Sequence, residues 1–496
     1  MLATLCALLT VGCGTSASDA HSARTTPPPA AAQAKAVTVG SPTPSRPIAP
    51  GFVGLSMEFK DLFAYAGSNP HAVNPVFVQL VRNLAPGQPA QLRIGGDSTD
   101  WTWYPYGGHK RPGGVRYSIT SRWLGVASAL ASELNAKTII GINLETNNPN
   151  LSAAEARAFV RALGIQRIEG LEIGNEPELY GSFAWYVMNG VKHFGRPHSY
   201  DFSNFLHDYA VTAKALPAAP LAGPNTGGTE WMPILNRFLG TEHVHVATLH
   251  RYALKRCSKS AHVTIGQLLS EASSRGLADF LAGYAGIAHR HGVPLRIDES
   301  NSVSCGGAPG VSDTYASALW AADAMFEMAR IGIDGVNMHS RPGITNELFS
   351  FQRSKGRWTA TVNPVYYGLL LFADAAPPGS RLLKVGDAGL PGLKIWATRA
   401  TDGRIRVVLI NKDATHGRTV ALQIPGASGS ALLARLRGPG LAAKHGVSFG
   451  GQSFGQTSTG VLAGKPSAAT ITPNGSRYVV PVPAASAAVL TIAPSK

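Results

Sequence analysis

Cysteine is almost absent, with four residues in 496, and no Cys/His spacing suits a zinc site. A zinc-folded module is therefore excluded. Acidic residues are also scarce, 29 against 44 Lys and Arg, which leaves a formal net charge of +15. Yet no Lys/Arg run is interleaved with aromatics, so the surplus does not read as a nucleic-acid surface. It would attract an acidic substrate or cell-surface polymer, or is simply a basic surface. Beyond the first residues no apolar run is long enough to cross a bilayer. What is plentiful is glycine (55) and proline (34) in a chain that is 44% hydrophobic, the make-up of a globular protein with many turns.

Residues 2–11 are mostly apolar, and the stretch to about residue 35 is rich in Ala, Ser, Thr and Pro. Residues 1–35 read as an export signal and flexible linker, outside the fold. Thr10-Val11-Gly12-Cys13 resembles a bacterial lipoprotein cleavage box, although Leu is usual where Thr10 stands. In that reading Cys13 carries a lipid anchor at the cell envelope; otherwise the protein is secreted. Loss of the leader removes Cys6 and leaves Cys257 and Cys305. Each follows an expected strand, in a polar or Gly-rich loop. A disulfide suits an oxidising compartment, and two buried free thiols are the alternative.

From residue 51 to 378 apolar strands alternate with helical stretches. The strand candidates are 52–59, 91–95, 137–143, 170–175, 220–224, 245–250, 295–298 and 335–339. Their number and the span predict an α/β fold, a (β/α)8 TIM barrel. After Pro377-Pro378-Gly379 short β-rich segments separated by turns predict a C-terminal β-sandwich over 379–496. Residues 36–50 contain a strand expected to join that sandwich.

The chemistry concentrates at expected strand ends, where a parallel barrel presents its working side chains. Gly174-Asn175-Glu176-Pro177 closes the fourth strand, and Leu295-Arg296-Ile297-Asp298-Glu299 forms the seventh. Two carboxylates on one rim suit glycoside cleavage: Glu176 as acid/base, Glu299 as nucleophile. A helix-capping role for Glu176 and a salt bridge for Glu299 are the structural alternatives. Asn175 offers an amide to a sugar hydroxyl. At the sixth strand end His250 suits a sugar contact, and Tyr252 a phenol that keeps the nucleophile ionised. Glu58, Asp97 and Ser98 end the first two strands and suit sugar diols; Arg93 reads as an internal ion-pair partner. Trp101, Trp103 and Tyr104 suit stacking on a sugar face or ordinary packing. Asn143 and His339 are further rim candidates.

With these residues in view, the chain resembles glycoside hydrolase family 79, the β-glucuronidase and heparanase group. The matching stretches are 54–59, 92–98, 171–177 and 297–301, with the appended sandwich. The resemblance implies retaining hydrolysis of β-linked glucuronic acid, without cofactor or metal. It also implies that tyrosines and backbone amides after the late strands hold the sugar carboxylate, for which Ser304 to Gly307 and Tyr315 are the candidates. Two other readings stay open: a barrel glycosidase for neutral sugars, such as an arabinofuranosidase or endo-glucanase, and a non-catalytic carbohydrate-binding surface protein.

Overall fold

The computed structural model describes residues 35–494 apart from residue 259. The expected leader with Cys6 and Cys13 lies outside the described residues.

Eight parallel strands close into a barrel: Val53–Glu58, Gln91–Gly95, Lys137–Ile142, Ile168–Ile173, Leu221–Thr226, Val246–His250, Leu295–Ser300 and Gly335–His339. They are nearly continuous runs of buried residues, as strands covered on both faces must be. Each is followed by a helix, the longest being Pro149–Leu163, Phe202–Ala215, Arg275–Arg290 and Tyr315–Arg330. Local chemistry starts several of these. Asn74 and Asn148 cap helices whose first residues are Pro75 and Pro149, and Asp201 with Asn204 forms a capping box.

The seventh strand is irregular. Leu249 pairs with Ile297 but His250 pairs with Glu299, so one residue is extra. In a regular strand Asp298 and Glu299 would point to opposite faces. The bulge lets both carboxylates reach inward.

The C-terminal strands Arg381–Val385, Leu393–Arg399, Ile405–Asn411, Arg418–Gln423, Ala431–Arg437, Arg477–Val482 and Ser486–Ile492 form a β-sandwich. Strand Lys35–Pro42 connects its two faces, antiparallel to Arg381–Val385 and parallel to Arg418–Gln423. Val39, Val407, Leu422, Val480 and Leu490 fill the space between them. The outer side of this module belongs to the barrel's own core through Val408, Ile410, Leu436 and Val489. Lys412, buried at that junction, pairs with Asp323 of helix Tyr315–Arg330 at 2.5 Å. Tyr315, expected at the sugar carboxylate, is fully buried at the same junction and donates to the Leu436 carbonyl at 2.8 Å. It begins a helix whose apolar surface seats the sandwich, which removes it from the site.

Cys257 and Cys305 are disulfide-bonded, joining the loops after the sixth and seventh strands. The alternative of two buried thiols fails on both counts, since both residues are exposed.

Candidate active site

Arg93, fully buried on the second strand, organises the floor of the barrel mouth. Its Nε donates to Glu172 at 2.8 Å and lies 3.2 Å from Asp298. One terminal nitrogen donates to Glu299 at 2.6 Å and the other to Asn175 and Asn225 at 2.9 and 3.1 Å. One cation thus faces three carboxylates. Burying that much uncompensated charge costs several kcal/mol per ion, so the cluster keeps a proton. Burial and Glu172 push Asp298 far up, whereas Arg93 and Asp298 outweigh burial and hold Glu172 low. The proton resides on Asp298, facing Glu172.

Glu299 stays ionised. Burial opposes this, but His339, His250, Arg93 and the Tyr252 hydroxyl together hold its carboxyl well below the usual carboxylate range. Burial in turn holds His339 below its ordinary value, so the standing positive charge beside Glu299 comes from Arg93 and His250. Tyr252 donates to Glu299 Oε1 at 2.8 Å.

Glu176 sits on the turn after the fourth strand in the left-handed region (φ 45°, ψ 56°), a strained conformation for a non-glycine residue. Its surroundings impose the turn. Its amide donates to the Asn225 carbonyl at 3.0 Å, and Asn225 Nδ2 donates to the Gly174 carbonyl at 2.5 Å. Asp100 accepts from the Asn175 amide at 3.1 Å and from Tyr180 at 2.7 Å. Room for the carboxylate comes from Gly227, where a Cβ would lie 2.6 Å from Glu176 Oε1. The side chain is about a quarter exposed, and Oε1 lies 3.0 Å from His250 Nδ1.

An oxygen of Glu176, a nitrogen of His250 and an oxygen of Glu299 lie within 4.8 Å of one another. Such a trio could hold a cation, but Arg93 and His250 already supply positive charge there; Glu299 and Glu176 raise His250 to about 9 against burial and Arg93. Carboxyls about 5 Å apart fit a retaining glycosidase, since inverting enzymes leave roughly 6.5–9.5 Å for a water.

Other expected residues are placed differently. His250 is buried between Glu176 and Asp298 (3.8 Å), so it bridges acids instead of touching sugar. Glu58 and Ser98 are also buried and satisfy each other: the Ser98 hydroxyl and amide both donate to Glu58. Neither has a free face for a sugar diol. Asp97 does open onto the cleft, and the surrounding protein, Glu58, Glu299 and Glu176 push it up to about 7, a shift that solvent partly screens. Asn175 is nearly buried, with its Oδ1 taken by Arg93. Trp101 is half-buried and carries the Arg116 guanidinium 4.0 Å from its ring centre, so one face is already covered. Trp103 is buried against Ser118, and Asn143 holds the carbonyls of Asp100 and Thr102. His339 bonds Ser56 at 2.9 Å.

Sequence reading missed Asp100, Glu172, Asn225 and Glu178. Glu178 accepts from the Gly227 and Gly228 amides and is raised to about 7 by burial and by Glu176. Glu172 carried a usable signal: a carboxylate inside an apolar strand needs a buried cation, and Arg93 is that cation.

Comparison with known proteins agrees with this architecture. Residues 395–489 match the model of the glycosyl hydrolase family 79 C-terminal beta domain. A Beta-glucuronidase of Neurospora crassa is 24% identical over 441 residues, 77% of this chain and 76% of that protein. Among solved structures, a 4-O-alpha-L-rhamnosyl-beta-D-glucuronidase from Fusarium oxysporum 12S superposes with a TM-score of 0.71 at 20% identity, covering 92% of this chain and all of that one. An arabinofuranosidase of family 51 from Xanthomonas axonopodis pv. citri gives 0.64 at 15% identity, covering 92% of this chain and 99% of its own. The barrel, the strand-end carboxylates and the matched sandwich together make this chain a glycoside hydrolase, and its likenesses support glycoside hydrolase family 79.

Proposed function

We propose that the protein is a retaining β-glucuronidase. The observation that carries the reaction type is the approach of Glu176 and Glu299 oxygens within 4.8 Å. Glu299, ionised and held by Arg93 and Tyr252, attacks the anomeric carbon. Glu176 protonates the departing glycosidic oxygen, which leaves a covalent glycosyl-Glu299 ester. Glu176, now a carboxylate, then takes a proton from water as that water attacks the same carbon. Two inversions give net retention. The glucuronate reading is supported by the β-glucuronidase activities for which the similar fungal proteins are named. The excess of positive charge is in keeping with an anionic substrate.

Purified protein incubated with p-nitrophenyl β-D-glucuronide and the matching glucoside and α-L-arabinofuranoside tests this. Preferential hydrolysis of the glucuronide, with the β-anomer formed first, is expected. Cleavage of a neutral glycoside alone would contradict the substrate reading, and binding without turnover would favour a lectin-like protein.

We further read residues 1–35 as an export leader and linker, placing the enzyme outside the cytoplasm. An exposed disulfide between Cys257 and Cys305 suits that setting. The intact mass of protein from the producing cells tests it: a mature chain starting at Cys13 with acyl groups marks a lipid anchor. A start further into the linker marks a secreted enzyme, and an uncut leader contradicts export.

A further inference from the structure

The mouth of the barrel is dominated by acids. Glu58, Asp97, Glu176, Glu178 and Glu299 gather there, and a cation with donors to spare would offset their repulsion of an anionic sugar. Arg93 has none near solvent, because it is fully buried and bonded to the floor. His250 and His339 are buried and bonded to Glu176 and Ser56.

Arg341 differs from all three. It stands two residues beyond the eighth strand with its side chain one-third exposed. Its Nε is buried yet has no hydrogen-bond partner. Its nearest carboxylates, Glu58 and Asp61, are 3.8 and 3.9 Å from that nitrogen, beyond hydrogen-bond range. Both have other partners: Glu58 accepts from Ser98, and Asp61 takes Lys60 at 2.7 Å. An arginine serving only as an internal counter-ion would be bonded as Arg93 is, at 2.6 to 3.1 Å.

Position and support both suit a ligand. Glu58 Oε1 lies 3.8 Å from His339 Nε2 as well as from Arg341, and His339 Nδ1 lies 3.7 Å from Glu299. Arg341 is therefore separated from the nucleophile by two side chains. In a uronic acid the carboxylate-bearing carbon is joined to the anomeric carbon through the ring oxygen, so the carboxylate lies within one sugar width of Glu299. The loop behind Arg341 is braced: the Gly343 amide donates to Glu347, and the Thr345 amide to the Gly306 carbonyl beside the disulfide.

We propose that Arg341 is the specificity-determining residue for the substrate's carboxylate, binding it with its unused N–H groups. This rests on the glucuronidase reading above. A planar guanidinium offers two parallel donors to a carboxylate, a geometry that lysine cannot reproduce.

The test compares Arg341→Met and Arg341→Lys with wild type on p-nitrophenyl β-D-glucuronide and on its neutral methyl ester. The ester keeps the size of the sugar and removes the charge. For Arg341→Met the acid-to-ester ratio of kcat/KM should fall on the order of 100-fold, the range for lost charged hydrogen bonds. For Arg341→Lys it should fall about 10-fold, as the charge stays and the paired geometry goes. An unchanged ratio in either variant, with both substrates slowed alike, would make Arg341 an internal counter-ion and overturn the proposal. The lysine variant keeps the charge opposite Glu58 and Asp61 and decides the matter should the methionine variant misfold. Wild-type protein that cleaves neither compound would instead remove the glucuronidase reading, and this inference with it.

Discussion

At the scale of single residues, the site works by unequal treatment of chemically similar acids. Asp298 and Glu299 are neighbours in sequence, yet Asp298 is held protonated and Glu299 ionised. Arg93 and Tyr252 make the difference, since both bond Glu299 while Asp298 faces Glu172. Tyr252→Phe removes one of those donors. Glu299 will then ionise at higher pH, so the acid limb of the kcat/KM profile should move upward and the rate fall roughly tenfold. A pH–rate profile superimposable on wild type would show that the phenol does not act on the nucleophile. The two carboxylates were legible because each ends an apolar run. The Glu58–Ser98 pair was not, because a hydrogen bond between residues 40 apart leaves no local pattern.

At the scale of elements, strand ends and loops set the geometry. The barrel strands were readable from their apolar runs, and their ends fall within two residues of the expected bounds. The bulge at Asp298–Glu299 was not readable, because it depends on pairing with His250 and Met338 on neighbouring strands. Nor was the fate of Tyr315: helix Tyr315–Arg330 is buried along almost its whole length, so no polar face marks which side meets the sandwich. Arg341 leaves no signal in the sequence, because a single arginine after a strand carries no pattern. The loops after strands six and seven are clamped by a disulfide closing a span of 48 residues. Cys305→Ser should destabilise the protein by about 4 kcal/mol in the chain-entropy account of such a loop. Denaturant unfolding of the variant beside wild type measures this, and equal midpoints would show the clamp to be idle.

At the scale of the whole molecule, barrel and sandwich share a core and a buried Lys412–Asp323 pair, so they form one structural unit. The cost of the acidic mouth falls on this unit. The surrounding protein and its acids push Asp97 and Glu178 up to about 7 and, on the loop after the third barrel strand, Glu145 up to about 9, from ordinary values of 3.8, 4.5 and 4.5. Between those limits the folded state binds more protons than the unfolded state, so stability falls as pH rises. His250, raised from 6.5 to about 9, acts in the same direction, its contribution being lost as pH passes its folded value. Glu299 and Glu172 are lowered, so their contribution is present above about 4.5 and lost in acid. The ligand-free protein should therefore be most heat-stable near pH 5, with Tm declining steadily toward pH 9. A Tm that climbs over that range would contradict the assigned protonation states.

Azide trapping separates the roles of Glu299 and Glu176. In Glu299→Ala, azide entering the vacated side of the sugar displaces the aglycone with one inversion, so an activated β-glucuronide should yield the α-glucuronyl azide. In Glu176→Ala the glycosyl-enzyme still forms, and azide in place of water should yield the β-glucuronyl azide. Proton NMR of the two products distinguishes the anomers. α-Azide from the first variant and β-azide from the second is the expected result; the reverse assignment, or hydrolysis at the wild-type rate by Glu299→Ala without azide, would remove Glu299 as the nucleophile.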